Sequence, residues 1–260
     1  MLLAIDAGNT QIAVGVYSGD AMVRDWRVST GRNRTGDEYG MVLLSLLHGS
    51  GMNLKEIDGA VLASVVPPLT PVLEKTVSKY VGVGPLVVGP GTKTGINIKY
   101  ENPKEVGPDR IAHAVAAVKK YGAPAIVIDF GTATILDAIS PQGEYLGGII
   151  APGLLTSLEA LFEKAAKLPR IELSRPRRAI GKTSAESMQS GMVYGIAGMV
   201  DSLVRRVSKE MRAEPHVVAT GELAEMVAGE AGSIQVVDPF LALDGLRLIY
   251  QMNMPAVRAQ

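Results

Sequence analysis

Cysteine is absent from all 260 residues. Disulfides, iron–sulfur clusters and thiol nucleophiles are thereby excluded, and a reducing compartment is permitted. An excess of either charge is missing as well. Lys plus Arg and Asp plus Glu number 26 each, so no global field draws the chain to nucleic acid or to a membrane surface. No apolar run approaches the roughly 18 residues of a membrane span. The N-terminus meets Asp6 after four apolar residues, with no basic stretch ahead of it, unlike a secretory leader. A water-soluble cytoplasmic protein is expected, with neither nucleic acid nor membrane as partner. His48, His113 and His216 show no metal-ligand spacing, and His113, inside an apolar helical stretch, reads as a satisfied core or interface histidine.

What is present is a long internal repeat. LLAID at 2–6 and AIVID at 125–129 are apolar strands that end in aspartate. A small-residue turn follows each: Ala7-Gly8-Asn9-Thr10 in the first, Phe130-Gly131-Thr132-Ala133 in the second. Each then returns as a strand, IAVGVYS or TILDAIS, turns at Gly19-Asp20 or Gln142-Gly143, and enters a third strand. Asp6 and Asp129 are 129 − 6 = 123 residues apart, and the same offset carries Asp20 onto Gly143. This period is too long for a solenoid and implies two copies of one domain.

Helical and strand patterns alternate between and after these hairpins. Helices are expected near 36–51, 70–80, 109–121, 154–166, 184–212, 222–230 and 240–252, with strands at 60–66, 86–89, 216–220 and 234–237. Such alternation implies an α/β fold with helices on both faces of mixed sheets. Residues 170–181 are polar and read as an exposed loop.

The two aspartate turns carry chemistry. Backbone N–H groups in a glycine-containing turn can cradle an anion, and Asn9, Thr10, Thr132 and Thr134 can add donors. Aspartate cannot bind phosphate directly, but it can hold a cation or its water shell. Two such turns facing each other across a cleft would clamp a nucleotide polyphosphate. Ordinary hairpins would explain one such turn; the repetition at constant register favours a built site.

DAGNT at 6–10 and DFGTA at 129–133, in duplicated three-strand units, resemble the acetate and sugar kinase/Hsp70/actin superfamily. NIKYENPKEVGPDR at 97–110, GGIIAPG at 147–153 and IGKTSAESMQSG at 180–191 narrow this to a resemblance to type III pantothenate kinase over residues 2 to about 250. The resemblance implies two actin-like, ribonuclease H-like domains with mixed five-stranded sheets flanked by helices and the active-site cleft between them. The N-terminal actin-like ATPase domain is expected over 1–115 and its C-terminal counterpart over 116–260. The activity implied is ATP-dependent phosphorylation of pantothenate to 4'-phosphopantothenate, the first step of coenzyme A synthesis, by a homodimer using magnesium and potassium or ammonium.

Residue by residue, the resemblance places ATP at Asp6, Ala7, Gly8, Asn9, Thr10, Gln11, Ile12, Ala13 and Thr132. It places magnesium at Asp6, through water, and the monovalent cation at Asp129. Pantothenate falls to Tyr100, Gly107, Pro108, Asp109, Arg110 and Ser184, with Asp109 as proton acceptor. Three positions depart from the family pattern: Ser184 stands for threonine, Ile135 for threonine and Glu222 for glycine.

The local physics of Asp109 allows two roles. At the start of a helix it can cap free N–H groups, and the same N-terminus favours the charged form that a proton acceptor needs. Arg110 offers a forked cation to a carboxylate-bearing substrate. Two other functions compete: a non-enzymatic transcription accessory factor of the same family, and a kinase with a sugar or acetate acceptor. Asp6, Asp109, Arg110 and Asp129 argue against the first, Tyr100 with the GPDR stretch against the second. IGKTS is not a Walker loop, since Pro176 stands where that pattern needs glycine. The cluster Arg175, Arg177 and Arg178 reads as a solvated surface. Glycines at 191, 195 and 198 suggest a helix face that packs closely against a neighbour, such as a second copy.

Overall fold

The structure, a computed structural model, describes residues 1–254. Along the chain run β1 (Leu2–Ala7), β2 (Gln11–Ser18), β3 (Ala21–Ser29), α1 (Gly36–Gly49), β4 (Gly59–Ser64), α2 (Thr70–Tyr80), β5 (Pro85–Val87) and α3 (Pro108–Tyr121). Then follow β6 (Ala125–Phe130), β7 (Ala133–Ile139), β8 (Tyr145–Pro152), α4 (Leu154–Lys164), α5 (Ser184–Met211), β9 (His216–Thr220), α6 (Ala224–Ala228), β10 (Val236–Val237) and α7 (Leu241–Asn253). These elements form two compact units, each built on one five-stranded sheet.

The first sheet has the order β3-β2-β1-β4-β5, antiparallel along the hairpins and parallel at β1–β4 and β4–β5. The second, read from β8, has the matching order β8-β7-β6-β9-β10. The duplication reaches a detail that strand patterns do not encode. Val23 in β3 and Leu146 in β8 are each skipped by the pairing, as bulge residues, and they are also 146 − 23 = 123 residues apart. A bulge bends and twists an edge strand in a reproducible way, so both copies have kept the same bend.

In the first unit β4 is apolar on both faces, as a strand covered on both sides must be. Helices α1 and α2 cover one face, over a core of Leu3, Ile5, Leu43, Leu47, Leu62, Leu73 and Val77. A capping box starts α1: Thr35 accepts from the Glu38 amide while Glu38 accepts from the Thr35 amide. Helix α7 packs against β1 and β4. Its buried Leu241, Leu243, Leu246, Leu248 and Ile249 each contribute roughly 1.5–3 kcal/mol by leaving water. Tyr17 Oη donates to Asp244 Oδ1 at 2.9 Å, and Tyr250 lies directly over Gly59.

The compact units do not divide at a single point. The first comprises Met1–Ile96, Asn102–Ala116 and the chain from Leu241; the second comprises Asn97–Glu101 and Ala117–Phe240. The division expected at 1–115 and 116–260 therefore differs in α7, which returns to the first sheet, and in residues 97–101, which join β8. Reading order cannot reveal such returns, because the apolar stripe of α7 would fit either sheet. In the second unit α4, α5 and α6 cover one face, around Ile126, Ile128, Phe130, Leu136, Val200 and Val217. Residues 170–181 form the expected irregular segment, and Arg175 and Arg178 are tied to Glu230 and Glu186.

Candidate active site

The first candidate phosphate loop joins β1 to β2. Gly8 N donates to Gln11 O at 2.9 Å, and a Cβ on Gly8 would stand 2.9 Å from that same oxygen, so the turn closes only around glycine. Asp6 is half-buried at the end of β1, while Asn9 and Thr10 are exposed. Ala7 and Ile12 belong to the core, so any ligand contact they make runs through the backbone. The segment after β3 braces the loop: Thr30 N donates to Thr10 O at 2.9 Å and Thr30 Oγ1 to Gly8 O at 2.7 Å.

In the same unit, Gly107, Pro108, Asp109 and Arg110 open α3. Pro108 occupies the first helical position, which needs no N–H donor. Ile111 N donates to Gly107 O at 3.2 Å, making Gly107 rather than Asp109 the residue that precedes the helix. Asp109 sits in the first turn and accepts from the Arg110 amide at 2.8 Å. A Cβ on Gly107 would stand 2.3 Å from Asp109 Oδ1. Glycine thus makes room for the carboxylate to fold back over its own helix end. Asp109 takes no ion pair among the described residues, and Arg110 is 7% exposed.

The second candidate phosphate loop, in the second unit, joins β6 to β7. Gly131 N donates to Ala133 O at 3.0 Å. Thr132 is exposed, and its carbonyl accepts from Gly153 N at 3.2 Å and Thr156 Oγ1 at 2.7 Å. Gly153 packs so tightly that a Cβ would stand 2.3 Å from Gly131 O. Thr134 does not offer a hydroxyl outward as expected, since it is fully buried with Oγ1 donating to Pro152 O at 3.4 Å.

Gly221, at φ 95°, backs Asp129. A Cβ there would stand 2.6 Å from Asp129 Oδ1 and 2.7 Å from Phe130 O. The Asp129 carboxylate and the Phe130 carbonyl therefore crowd the Gly221 backbone in a way that only glycine permits. No cluster of three His, Asp or Glu side chains among the described residues could enclose a metal. A magnesium ion at Asp6 would therefore draw most of its ligands from water and phosphate, as that ion commonly does.

Tyr100 also lies in the second unit. Residues 97–99 pair with the start of β8, Tyr145 N donating to Asn97 O and Lys99 N to Tyr145 O at 2.9 and 2.8 Å. That pairing lays the Tyr100 ring on Gly147. Ser184 is exposed in the first turn of α5, whose cap is Thr183. Lys182 N donates to Glu186 at 2.7 Å, and this bond with the nearby Arg178 holds the Glu186 carboxyl below its ordinary range. His113 is buried as expected, but its Nδ1 has no partner among the described residues. Gly153, Thr156 and Gly221 escaped the sequence reading, although Gly153 and Thr156 stand in or beside a stretch that carried the resemblance and Gly221 precedes Glu222.

A family profile described as type III pantothenate kinase matches residues 2–206. A type III pantothenate kinase of Moorella thermoacetica is 54% identical over 253 residues, covering 97% of this chain and 100% of that protein. The chain belongs to the type III pantothenate kinase family. A second such kinase, from Halalkalibacterium halodurans, is 50% identical over 98% of this chain and 100% of its own length.

Solved structures extend the family's likeness in fold alone. The (R)-2-hydroxyglutaryl-CoA dehydratase component A of Acidaminococcus fermentans matches with a TM-score of 0.55 at 16% identity, over 97% of this chain and 99% of that chain. The ROK hexokinase of Thermus thermophilus matches at 0.51 and 15%, over 97% and 99%. A Campylobacter jejuni protein described as a candidate transcriptional activator of the Baf family matches at 0.61 and 18%, over 96% and 98%. Two mixed five-stranded sheets flanked by helices, as expected, give the actin-like kinase fold.

Proposed function

We infer that this protein transfers the terminal phosphoryl group of ATP to pantothenate, giving 4'-phosphopantothenate and ADP at the entry to coenzyme A synthesis. Membership of the family carries the reaction class. The placement of Asp109 carries the mechanism: a half-buried carboxylate at a helix N-terminus, with one amide donor and no ion pair among the described residues, is poised to accept a proton.

In this reading the substrate's primary hydroxyl oxygen bonds to the γ-phosphorus as the bond to the β–γ bridging oxygen breaks. The hydroxyl proton passes to Asp109, and ADP leaves with the bridging oxygen. Most of the barrier lowering in phosphoryl transfer comes from alignment and charge neutralisation. Backbone amides and side chains of residues 6–13 and Thr132 would hold the phosphates. Asp6 would hold magnesium through water, and Asp129 potassium or ammonium; when bound, these cations neutralise phosphate charge. Gly107, Pro108, Arg110, Tyr100 and Ser184 would hold pantothenate, with Arg110 as the forked partner of its carboxylate.

A homodimer is part of the proposal. The glycines at 191, 195 and 198 form an exposed stripe along α5, each with no atom of the described residues within 4 Å of where a Cβ would stand. Close helix approach needs such a surface. Cytoplasmic action is likewise proposed, and no described helix is long and apolar enough to cross a membrane. The transcription accessory role finds support only in fold likeness and is not favoured. The test is direct: purified protein with magnesium ATP, potassium and pantothenate should yield phosphopantothenate by mass detection. A folded protein that makes none would refute the reading.

A further inference from the structure

The first phosphate loop has an electrostatic gap. Residues 6–13 contain no lysine or arginine and one carboxylate, Asp6. A nucleotide polyphosphate brings several negative charges, and backbone amides alone compensate them partially. The structure brings a guanidinium to this loop. Arg32 Nη2 donates to Asn9 Oδ1 at 3.1 Å. Asn9 is neutral, and no carboxylate pairs with Arg32 among the described residues.

The segment that carries Arg32 is anchored on both sides of it. Thr30 is bonded to Thr10 O and Gly8 O of the loop. The next residue, Gly31, exchanges hydrogen bonds with Tyr39 Oη, its N donating at 2.9 Å and its O accepting at 3.0 Å. Arg34 N closes the turn on Gly31 O at 3.0 Å. Arg32 projects from the outside of this turn, exposed, with Asn9 occupying one donor of its fork. A solvated surface arginine is normally free to wander or finds an acid; this one reaches the proposed phosphate loop and, among the described residues, keeps its charge uncompensated.

We propose that Arg32 is a further nucleotide-binding residue, whose guanidinium supplies the first phosphate loop with the positive charge its own residues lack. The assignment rests on the ATP-dependent reading above and predicts recognition of the polyphosphate, not of the nucleoside. A planar fork can hold two phosphate oxygens at once, whereas an ammonium acts as a point charge.

Calorimetric titration of the full chain with ATP, ADP and adenosine tests this. In Arg32→Gln the affinity for ATP should fall about tenfold or more, the usual effect of losing a charge-assisted hydrogen bond, with adenosine and pantothenate affinities unchanged. Arg32→Lys should recover part of the loss. Equal ATP affinity in wild type and Arg32→Gln would overturn the assignment alone. So would a parallel loss of ATP and adenosine affinity, which would mean that Arg32 merely stiffens the loop. A wild type that binds no ATP would overturn the kinase reading together with this one.

Discussion

Tyr100 rests on Gly147: a Cβ on Gly147 would stand 3.4 Å from two carbons of the ring. Gly147 follows the bulge residue Leu146 and has φ of 133°, a conformation that L side chains rarely adopt. The bulge therefore makes a flat seat for an aromatic residue assigned to the substrate pocket. Gly147→Ala, strained at this positive φ, should shift the backbone that seats the ring and raise KM for pantothenate about three- to tenfold, corresponding to about 1 kcal/mol, with KM for ATP and kcat little changed. Equal increases in both KM values would remove Gly147 from substrate positioning.

Asp129, the proposed ligand of the monovalent cation, yields a cation prediction. Asp129→Asn should abolish the stimulation of turnover by potassium or ammonium, and Gly221→Ala, whose Cβ would stand 2.6 Å from Asp129 Oδ1 and displace the carboxylate, should weaken it. Initial rates at rising potassium chloride measure it. Stimulation of wild-type size in both variants would return Asp129 to a structural role.

Helix α7 makes its closest approach at Gly245, where a Cβ would stand 1.9 Å from Ala112 O. The helix cannot shift outward without uncovering its buried leucines. Gly245→Ala should therefore cost about 3 kcal/mol, the upper range for overpacking, read as a large drop in thermal midpoint. A midpoint within a degree of wild type would contradict the packing of α7 on the first unit.

Asp201, inside α5, supports the loop before β10. Burial opposes its charge, but the Ser233 hydroxyl and amide, the Gly232 amide and the nearby Arg205 outweigh that and hold the carboxyl below its ordinary range. A lowered folded value contributes stability that is present above the unfolded value, about 4, and lost as pH falls through the folded one. Asp201→Asn should be less stable than wild type at pH 7, with the difference closing between about pH 5 and pH 3. A constant difference across that range would show that the charge is immaterial.

Much of this was legible in the chain because the two hairpins are local. Strand, turn and strand each follow from a few adjacent residues, so the LLAID and AIVID units, the GPDR helix and the long helix after Thr183 could be read directly. What escaped depends on returns of the chain. The docking of α7 on the first sheet, the seat of Tyr100 on β8, and the pressure of Gly153 and Gly221 on the second loop all join residues distant in sequence. Arg32 lies 23 residues from Asn9 and is brought to it by the β2–β3 hairpin, which the sequence predicts without giving the rotamer. The burial of Thr134 follows from register: it pairs with Phe130 and turns inward, whereas Thr132 stands in the turn.

In the proposed reaction Asp109 accepts the substrate proton rather than merely closing α3, where its carboxylate accepts from the Arg110 amide alone among the described residues. Turnover of phosphopantothenate by Asp109→Asn, measured beside ATP binding by the same preparation, tests it most directly. Asparagine can still accept the amide bond but cannot take the proton. Turnover should fall at least about a hundredfold, the lower range for general base catalysis, with ATP affinity unchanged; turnover within a few-fold of wild type would contradict the account.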